Sequence, residues 1–347
     1  MQIEARRRLH EAVRLHQAGA LAQAEPLYRA LLRQDPDHAD AQNLLGLLLH
    51  QQGRREQAII ALQRAAKLRP RVAEYQRNLG MVLRAAGRLD EAVASCRLAA
   101  TLQPSGAENH FSLGNTLVEA GEHAAAAGAF RATLAVQPSF LPARLNLAHS
   151  LLLLKQPAEA EALLRAALLE APGNGIALYN LALALQAQQR WPEADQAFQA
   201  AAQAGQDSAA LFLNRGLVLQ EMERWEEALP AFREALSRQP ESAEAWFGLG
   251  LCLQSAGSDT GQLAMAGQAF GQAIALRPDY CDAFYNLAHV RKRLGDLEGS
   301  HEALGHALAL RPDDRIHPAR AAGQTAGLRL TGGLRAHALA RAATALA

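Results

Sequence analysis

Apolar residues recur along this chain with the spacing of amphipathic helices, and the same skeleton returns every 34 residues. The clearest copy is LGLLLHQQGRREQAIIALQRAAKLRP, residues 45–70. When each unit is numbered so that its closing proline is position 32, the apolar residues at positions 4, 7, 8 and 11 share one helix face. Those at positions 20, 24 and 27 share one face of a second helix. Each unit is therefore predicted to be a pair of helices whose apolar stripes meet.

Small residues and turn formers occupy the positions that such a helical hairpin requires. Gly46 at position 8 and Ala58 at position 20 allow two helices to approach closely. Gly53 supplies a turn that a side chain would strain, and Pro70 stops the second helix. Because every copy buries its stripes against its neighbours, the pattern predicts one continuous all-α stack rather than separate globular domains.

The Leu45–Gly46 pair, Ala58, Ala65 and the closing Pro70 together resemble the tetratricopeptide repeat (TPR), and nine units in phase carry the resemblance. It implies a right-handed superhelical α-solenoid of about nine TPR helical hairpins, of the kind found in bacterial TPR proteins. The predicted units lie at about residues 5–36, 39–70, 73–104, 107–138, 141–172, 175–206, 209–240, 243–278 and 281–312.

Departures from the repeat carry expectations of their own. The first helix, RRRLHEAVRLHQ, is unusually polar, as expected of a cap that has no neighbour on one side. Gln206 stands where the sixth unit should have its proline, which predicts a looser joint there, and Arg215 occupies an apolar position of the seventh unit. Four extra residues within 257–266 predict a longer surface loop between the two helices of the eighth unit.

The repeat pattern stops at residue 313, and the remaining residues, 313–347, form a basic tail rich in alanine, arginine and glycine. No acidic residue follows Asp314, whereas five arginines do: Arg315, Arg320, Arg329, Arg335 and Arg341. Apolar residues near its end are spaced for a short amphipathic helix that would cap the last hairpin. A disordered tail and the truncated start of a further domain are the two alternatives.

Composition narrows the classes of partner. Half of the residues are hydrophobic but only 5% are aromatic, which suits close helix packing. A net charge of +1 gives no general attraction to nucleic acid or to an anionic membrane. No stretch has the apolar length that crosses a bilayer, so the expected location is the cytoplasm. Cys96, Cys252 and Cys281 lie far apart and indicate neither a disulfide framework nor a zinc site.

No pattern typical of catalysis, metal binding or cofactor binding emerges from the sequence. Among the twelve histidines the nearest match to a zinc motif is His301–Glu302–Ala303–Leu304–Gly305–His306. Residues five apart do not share a helix face, so the two imidazoles diverge. Glycines near 323–333 lack the strand that a phosphate-binding loop needs. We therefore expect no catalytic residue, no metal and no cofactor in this chain.

Asparagines recur at one position of the repeat. Position 6 lies about 200° around the first helix from position 8 and so faces away from the hairpin partner, toward the groove. Of nine asparagines in the chain, five occupy it: Asn78, Asn146, Asn180, Asn214 and Asn286. Either they stabilise the repeat by bonding a neighbouring helix or a water, or they form a ladder that binds a peptide.

The neighbouring positions predict what else a ligand would meet in the groove. They carry apolar residues and two histidines: Leu145, Tyr179, Leu213, Phe247, His149 and His289. The basic residues that would clamp a peptide carboxylate are few and confined to units three and nine: Arg77, Arg84, Lys292 and Arg293. The sequence therefore favours a neutral, apolar ligand over an acidic or C-terminal one.

The asparagine register looks like the ladder in the TPR arm of O-linked N-acetylglucosamine transferases, which holds substrate peptides by their backbone. Leu44, Ser112 and Gly248 interrupt it in units two, four and eight. The sequence thus predicts a non-catalytic scaffold that binds a protein or an extended peptide in its concave groove, with no nucleic-acid or membrane partner and an oligomeric state left open. The alternative is the substrate-recruiting arm of a glycosyltransferase or another transferase whose catalytic domain is absent from this chain.

Overall fold

The computed structural model describes residues 2–256 and 259–311, and these residues form eighteen α-helices and no strand, so the predicted all-α fold is confirmed. The first nine are α1 Gln2–Gln17, α2 Leu21–Gln34, α3 Ala39–Gln51, α4 Arg55–Leu68, α5 Ala73–Ala85, α6 Leu89–Leu102, α7 Ala107–Glu119, α8 His123–Val136 and α9 Leu141–Leu153. The others are α10 Pro157–Glu170, α11 Gly175–Ala187, α12 Trp191–Gln203, α13 Ala209–Glu221, α14 Trp225–Arg238, α15 Ala243–Ala256, α16 Thr260–Leu276, α17 Cys281–Arg293 and α18 Leu297–Leu310. The tail predicted as a cap lies outside the described residues.

Helix contacts divide the chain into two compact units, Met1–Leu154 and Lys155–Ala347, whereas the repeat pattern predicts one continuous solenoid. Each unit is a stack of helical hairpins. Because a hairpin in such a stack packs only on its neighbours, contacts between distant hairpins are lacking and a stack divides readily between two adjacent helices.

Within a hairpin, the glycine at position 8 packs against the side chain at position 24. A Cβ atom on Gly114 would lie only 2.5 Å from Cε1 of Phe130, whose side chain is fully buried. Gly216 and Phe232 repeat the arrangement, with a distance of 2.8 Å to the ring. The need for a small residue is therefore confirmed, and it comes chiefly from the side chain that fills the space over the glycine.

The odd-numbered and even-numbered helices form different faces of each unit. Odd-numbered helices contact one another along the stack, α1 to α9 in the first unit and α11 to α17 in the second. The even-numbered helices pack on their odd-numbered neighbours instead. The odd-numbered helices therefore line the shorter, concave side of each unit, which we call the odd-helix face.

The turn inside the hairpin has the backbone conformation expected of position 15. Gly53 has φ of +77°, and four other glycines in the same register share the left-handed conformation. Lys155, Gln189 and Glu223 adopt the same conformation without being glycine, at φ of 58°, 61° and 57°. Because L side chains rarely adopt this region, these three turns carry strain that the glycine turns avoid.

The insertion in the eighth unit does not make a longer loop. The helix α15 has 14 residues and α16 has 17, whereas the corresponding helices α13 and α14 have 13 and 14. The four extra residues are therefore absorbed as one residue of α15 and three of α16. Asp259 makes the early start of α16 possible, because its carboxylate accepts a hydrogen bond from Gly261 N at 2.8 Å. The prediction of a longer surface loop was therefore wrong.

Candidate functional site

The five asparagines of position 6 lie on odd-numbered helices, at the level where neighbouring odd-numbered helices meet. Four of them are almost inaccessible, with exposed fractions of 6% for Asn78, 2% for Asn180 and for Asn214, and 4% for Asn286. Only Asn146 is partly exposed. The asparagines thus belong to the floor of the odd-helix face rather than to its outer rim.

Three of these asparagines use their amide nitrogen to bind the preceding odd-numbered helix. Asn78 Nδ2 donates to Asn43 Oδ1 at 3.0 Å, and Asn146 Nδ2 donates to Asn115 Oδ1 at 2.8 Å. In the second unit, Asn214 Nδ2 donates to the hydroxyl of Tyr179 at 3.3 Å, and also to its own helix at Ala210 O. These bonds join successive repeats, as expected if the asparagines stabilise the repeat by bonding a neighbouring helix.

The other two asparagines behave differently. Asn286 Nδ2 donates to the carbonyl of Asp282 one turn earlier in α17, at 2.7 Å. The Oδ1 atom of Asn180 is buried and has no hydrogen-bond partner among the described residues. Peptide binding by the asparagine register stays a prediction.

The predicted apolar lining is more deeply buried than a ligand-accessible surface would be. Tyr179 is 2% exposed and Phe247 5%, and Phe247 packs on the rings of Phe270 and Tyr280 at 5.7 and 4.8 Å between centroids. Burial raises the pKa of Tyr179 to about 12. Leu145 is also buried. Of the four predicted apolar residues, Leu213 alone is partly exposed.

Both predicted groove histidines are partly buried at position 9. Burial lowers the pKa of His149, and the nearby His123 lowers it further. Burial also lowers the pKa of His289, with smaller contributions from Arg293 and Lys292. Both imidazoles are therefore held toward the neutral form, which lets a ring nitrogen accept a hydrogen bond: His289 Nδ1 lies 3.0 Å from Gln254 Nε2.

Two further rows lie on the second unit's odd-helix face; the sequence pattern had placed the leucines in the groove, whereas the glutamines were not singled out. At position 9 the side chains are Leu183, Leu217 and Leu251, and three residues later, one helical turn along, they are Gln186, Gln220 and Gln254. The glutamines are spaced by 34 residues and occur in three consecutive units. That regular spacing was the available signal, and it was missed because glutamine is frequent throughout the chain.

Two charged groups near the odd-helix faces have partners within the protein. Arg84 of the first unit forms an ion pair with Glu119 of the next odd-numbered helix. In the second unit, the carboxylate of Glu244, 7% exposed, is paired with Arg277. The centre of the second unit's face therefore offers a neutral surface of leucine and carboxamide side chains.

Within residues 2–256 and 259–311 no cluster of three or more histidine, cysteine, aspartate or glutamate side chains is arranged to hold a metal. His306 stacks on Phe284, with ring centroids 5.2 Å apart, and His301 Nδ1 lies 2.8 Å from the carbonyl of Leu297. None of the helices in the described part of the chain combines the length and the apolar character needed to span a bilayer.

Comparison with known proteins places these observations in a family. A family model described as tetratricopeptide repeat matches residues 9–71, 51–107, 111–174, 145–209 and 213–280, and a second model of the same description matches residues 282–314. No curated protein sequence matches the chain.

Solved TPR structures share the fold. YrrB, described as a TPR protein with an unusual peptide-binding site, is 26% identical and covers 54% of this chain and 95% of its own, with a TM-score of 0.50. A tetratricopeptide repeat protein from Parabacteroides merdae is 18% identical and covers 72% of this chain and 98% of its own, with a TM-score of 0.54. PilF from Pseudomonas aeruginosa is 22% identical and covers 60% of this chain and 94% of its own, with a TM-score of 0.51.

Proposed function

The chain belongs to the tetratricopeptide repeat family, and from that premise we propose that it is a non-catalytic scaffold that binds an extended segment of a partner protein along the odd-helix face. The observation that carries the proposal is the repetition of like side chains on α11, α13 and α15. A leucine row runs beside a carboxamide row, one member of each on every helix.

Such a surface suits an extended polypeptide. A carboxamide offers both a donor and an acceptor, so it can pair with a peptide group whatever the side chain of that residue. Within the leucine row Leu183 and Leu217 are buried and Leu251 is partly exposed, so Leu251 and the neighbouring, partly exposed Leu213 offer apolar contact to a ligand. Because the repeats present the same groups at regular intervals, contacts are spread along the bound chain.

The neutral character of the rows on α11, α13 and α15 indicates which kind of segment binds there. The carboxylate of Glu244 already has Arg277 as its partner, and no cation lies among the leucine and glutamine rows. We therefore expect an unfolded, neutral and moderately apolar segment rather than an acidic one or a free C-terminus. The unusual peptide-binding site described for YrrB supports peptide binding by a related array, although its sequence differs at most positions.

An array of synthetic peptides tests the proposal. Neutral, moderately apolar peptides should bind the wild-type protein, and Leu213→Asp should weaken that binding by placing a charge on the odd-helix face. Leu169→Asp is the matched control, because Leu169 is 85% exposed on the even-numbered helix α10. Binding of acidic peptides alone, or equal weakening by both variants, would show that the proposed face is wrong.

A further inference from the structure

Three glutamines at one register of the second unit differ in how their amide groups are bonded. Gln186, Gln220 and Gln254 stand near the carboxyl ends of α11, α13 and α15. Gln220 is 7% exposed, and its Nε2 donates to Gly248 O at 3.0 Å and lies 3.6 Å from Cys252 Sγ. It thereby ties α13 to α15.

In Gln186 and Gln254 the side-chain oxygen has no hydrogen-bond partner among the described residues. Both Oε1 atoms are buried. Gln254 uses its nitrogen on His289 Nδ1, but its oxygen remains without a partner. Asn180 Oδ1, on α11 with Gln186, is in the same situation. The second unit's odd-helix face thus carries three carboxamide oxygens that receive no hydrogen bond from residues 2–256 and 259–311.

Unpartnered acceptors do not help the scaffold to fold. A buried polar atom without a hydrogen bond destabilises a protein, since its bonds to water are lost and nothing replaces them. An apolar side chain of similar size would serve packing better at residues 186 and 254. The presence of glutamine at both positions is explained if a bound molecule supplies the missing donors.

We propose that Gln186 and Gln254 accept hydrogen bonds from main-chain N–H groups of the extended polypeptide bound on the second unit's odd-helix face. This inference rests on the proposed function and adds which side chains hold the backbone. Both side chains are only partly buried, and rotation about the soft terminal torsion of glutamine turns the oxygen toward the ligand.

The spacing of the rows favours main-chain donors over side-chain donors. Packed helices lie about 8–10 Å apart, and an extended chain advances about 3.3 Å per residue, so successive odd-numbered helices meet the ligand about every third residue. Every residue except proline carries an N–H group, whereas cationic side chains at such intervals would find no carboxylate among the leucine and glutamine rows.

The test compares a double variant that carries both Gln186→Leu and Gln254→Leu with the single variant Gln220→Leu. The two ligands are the tightest-binding peptide of the array and the same peptide N-methylated at alternate residues. N-methylation removes main-chain donors. We expect it to weaken binding to wild type by roughly tenfold and to change binding to the double variant far less. The double variant should change the melting temperature little, because it removes two unpartnered oxygens but also the bond from Gln254 Nε2 to His289. Gln220→Leu should lower the melting temperature because Gly248 O loses its donor.

Different outcomes overturn different statements. A double variant that binds the unmodified peptide like wild type contradicts the role of the two glutamines and leaves the scaffold function standing. A double variant that loses thermal stability as Gln220→Leu does shows that the residues are structural, which also contradicts the inference. If wild type binds no peptide of the array, the proposed function itself fails, and this inference fails with it.

Discussion

The guanidinium of Arg215 binds the carboxylate of Asp195, with Nε 2.7 Å from Oδ1. The side chain of Asp195 is 4% exposed, and its other oxygen lies 3.2 Å from Arg224 NH1. Arg215 occupies a position where most units have leucine, and its partner comes from the preceding hairpin. A charge network centred on the buried carboxylate of Asp195 thus spans the joint at Gln206, and the looser packing expected there stays a prediction.

Replacing Asp195 by Ala should therefore destabilise the second unit by about 3 kcal/mol, because the largely buried charge of Arg215 loses its partner. The matched control is Glu227→Ala, which removes an exposed carboxylate that also binds Arg224 and should change stability far less. Adding Arg215→Leu to Asp195→Ala should recover much of the loss, since leucine fits this position elsewhere. Urea unfolding measures all three, and equal losses for Asp195→Ala and Glu227→Ala would contradict the network.

Two glycines of neighbouring helices make a second comparison. Gly114→Ala should cost about 1–3 kcal/mol, because the new Cβ would overlap the buried ring of Phe130. Gly128→Ala, in α8, meets nothing within 4 Å and should stabilise the helix by about 0.5–1 kcal/mol. Melting temperatures that move in the same direction for both variants would refute the packing described for position 8.

The turns give a third comparison. Gln189→Gly should raise stability by up to about 1 kcal/mol, because φ of 61° is unfavourable for a residue with a side chain. Gly87→Ala should lower stability by about 1 kcal/mol, although a Cβ at Gly87 has open space around it, because its φ is +76°. The pair separates backbone strain from crowding, and a loss of stability in Gln189→Gly would show that its turn is unstrained.

Three partly buried histidines predict a loss of stability in mild acid. His16, His50 and His149 of the first unit all have pKa values lowered, with burial as the largest cause. A lowered folded-state pKa means that the unfolded chain binds the proton more readily, so stability is complete above the unfolded pKa and declines as pH falls. Melting temperatures between about pH 7.5 and about pH 5.5 measure the decline.

His149→Gln should reduce this pH dependence, because glutamine does not titrate. His301→Gln, at an exposed position, is the matched control. A pH dependence as steep in His149→Gln as in wild type would assign the effect to other groups.

The fold could be predicted from the sequence because the residues that determine each hairpin lie within that hairpin. The period of 34 residues, Gly46 at position 8 and the turn at Gly53 all have local causes, and the structure bears them out. The greater length of α16 was not foreseen because the start of this helix depends on Asp259 as a cap rather than on the length of the insertion.

The candidate site was less accessible from sequence. The position in the repeat shows that Asn214 and Gln220 face the same side as the equivalent residues of other repeats. It does not show which of these side-chain amides already have a hydrogen-bond partner within the protein. That distinction depends on Tyr179 and on the carbonyl of Gly248, which belong to other repeats. Likewise, nothing local links Arg215 to Asp195, twenty residues earlier. Only the three-dimensional structure separates the engaged amides from those of Gln186 and Gln254.

The central claim is that a polypeptide lies along the odd-helix face, and photo-crosslinking tests it most directly. A benzophenone amino acid placed at Leu251, which is partly exposed on α15, should crosslink to a peptide selected on the array. The same group at Leu169, 85% exposed on α10, should not. Crosslinking from Leu169 without crosslinking from Leu251 would place the ligand on the even-numbered helices and contradict the account.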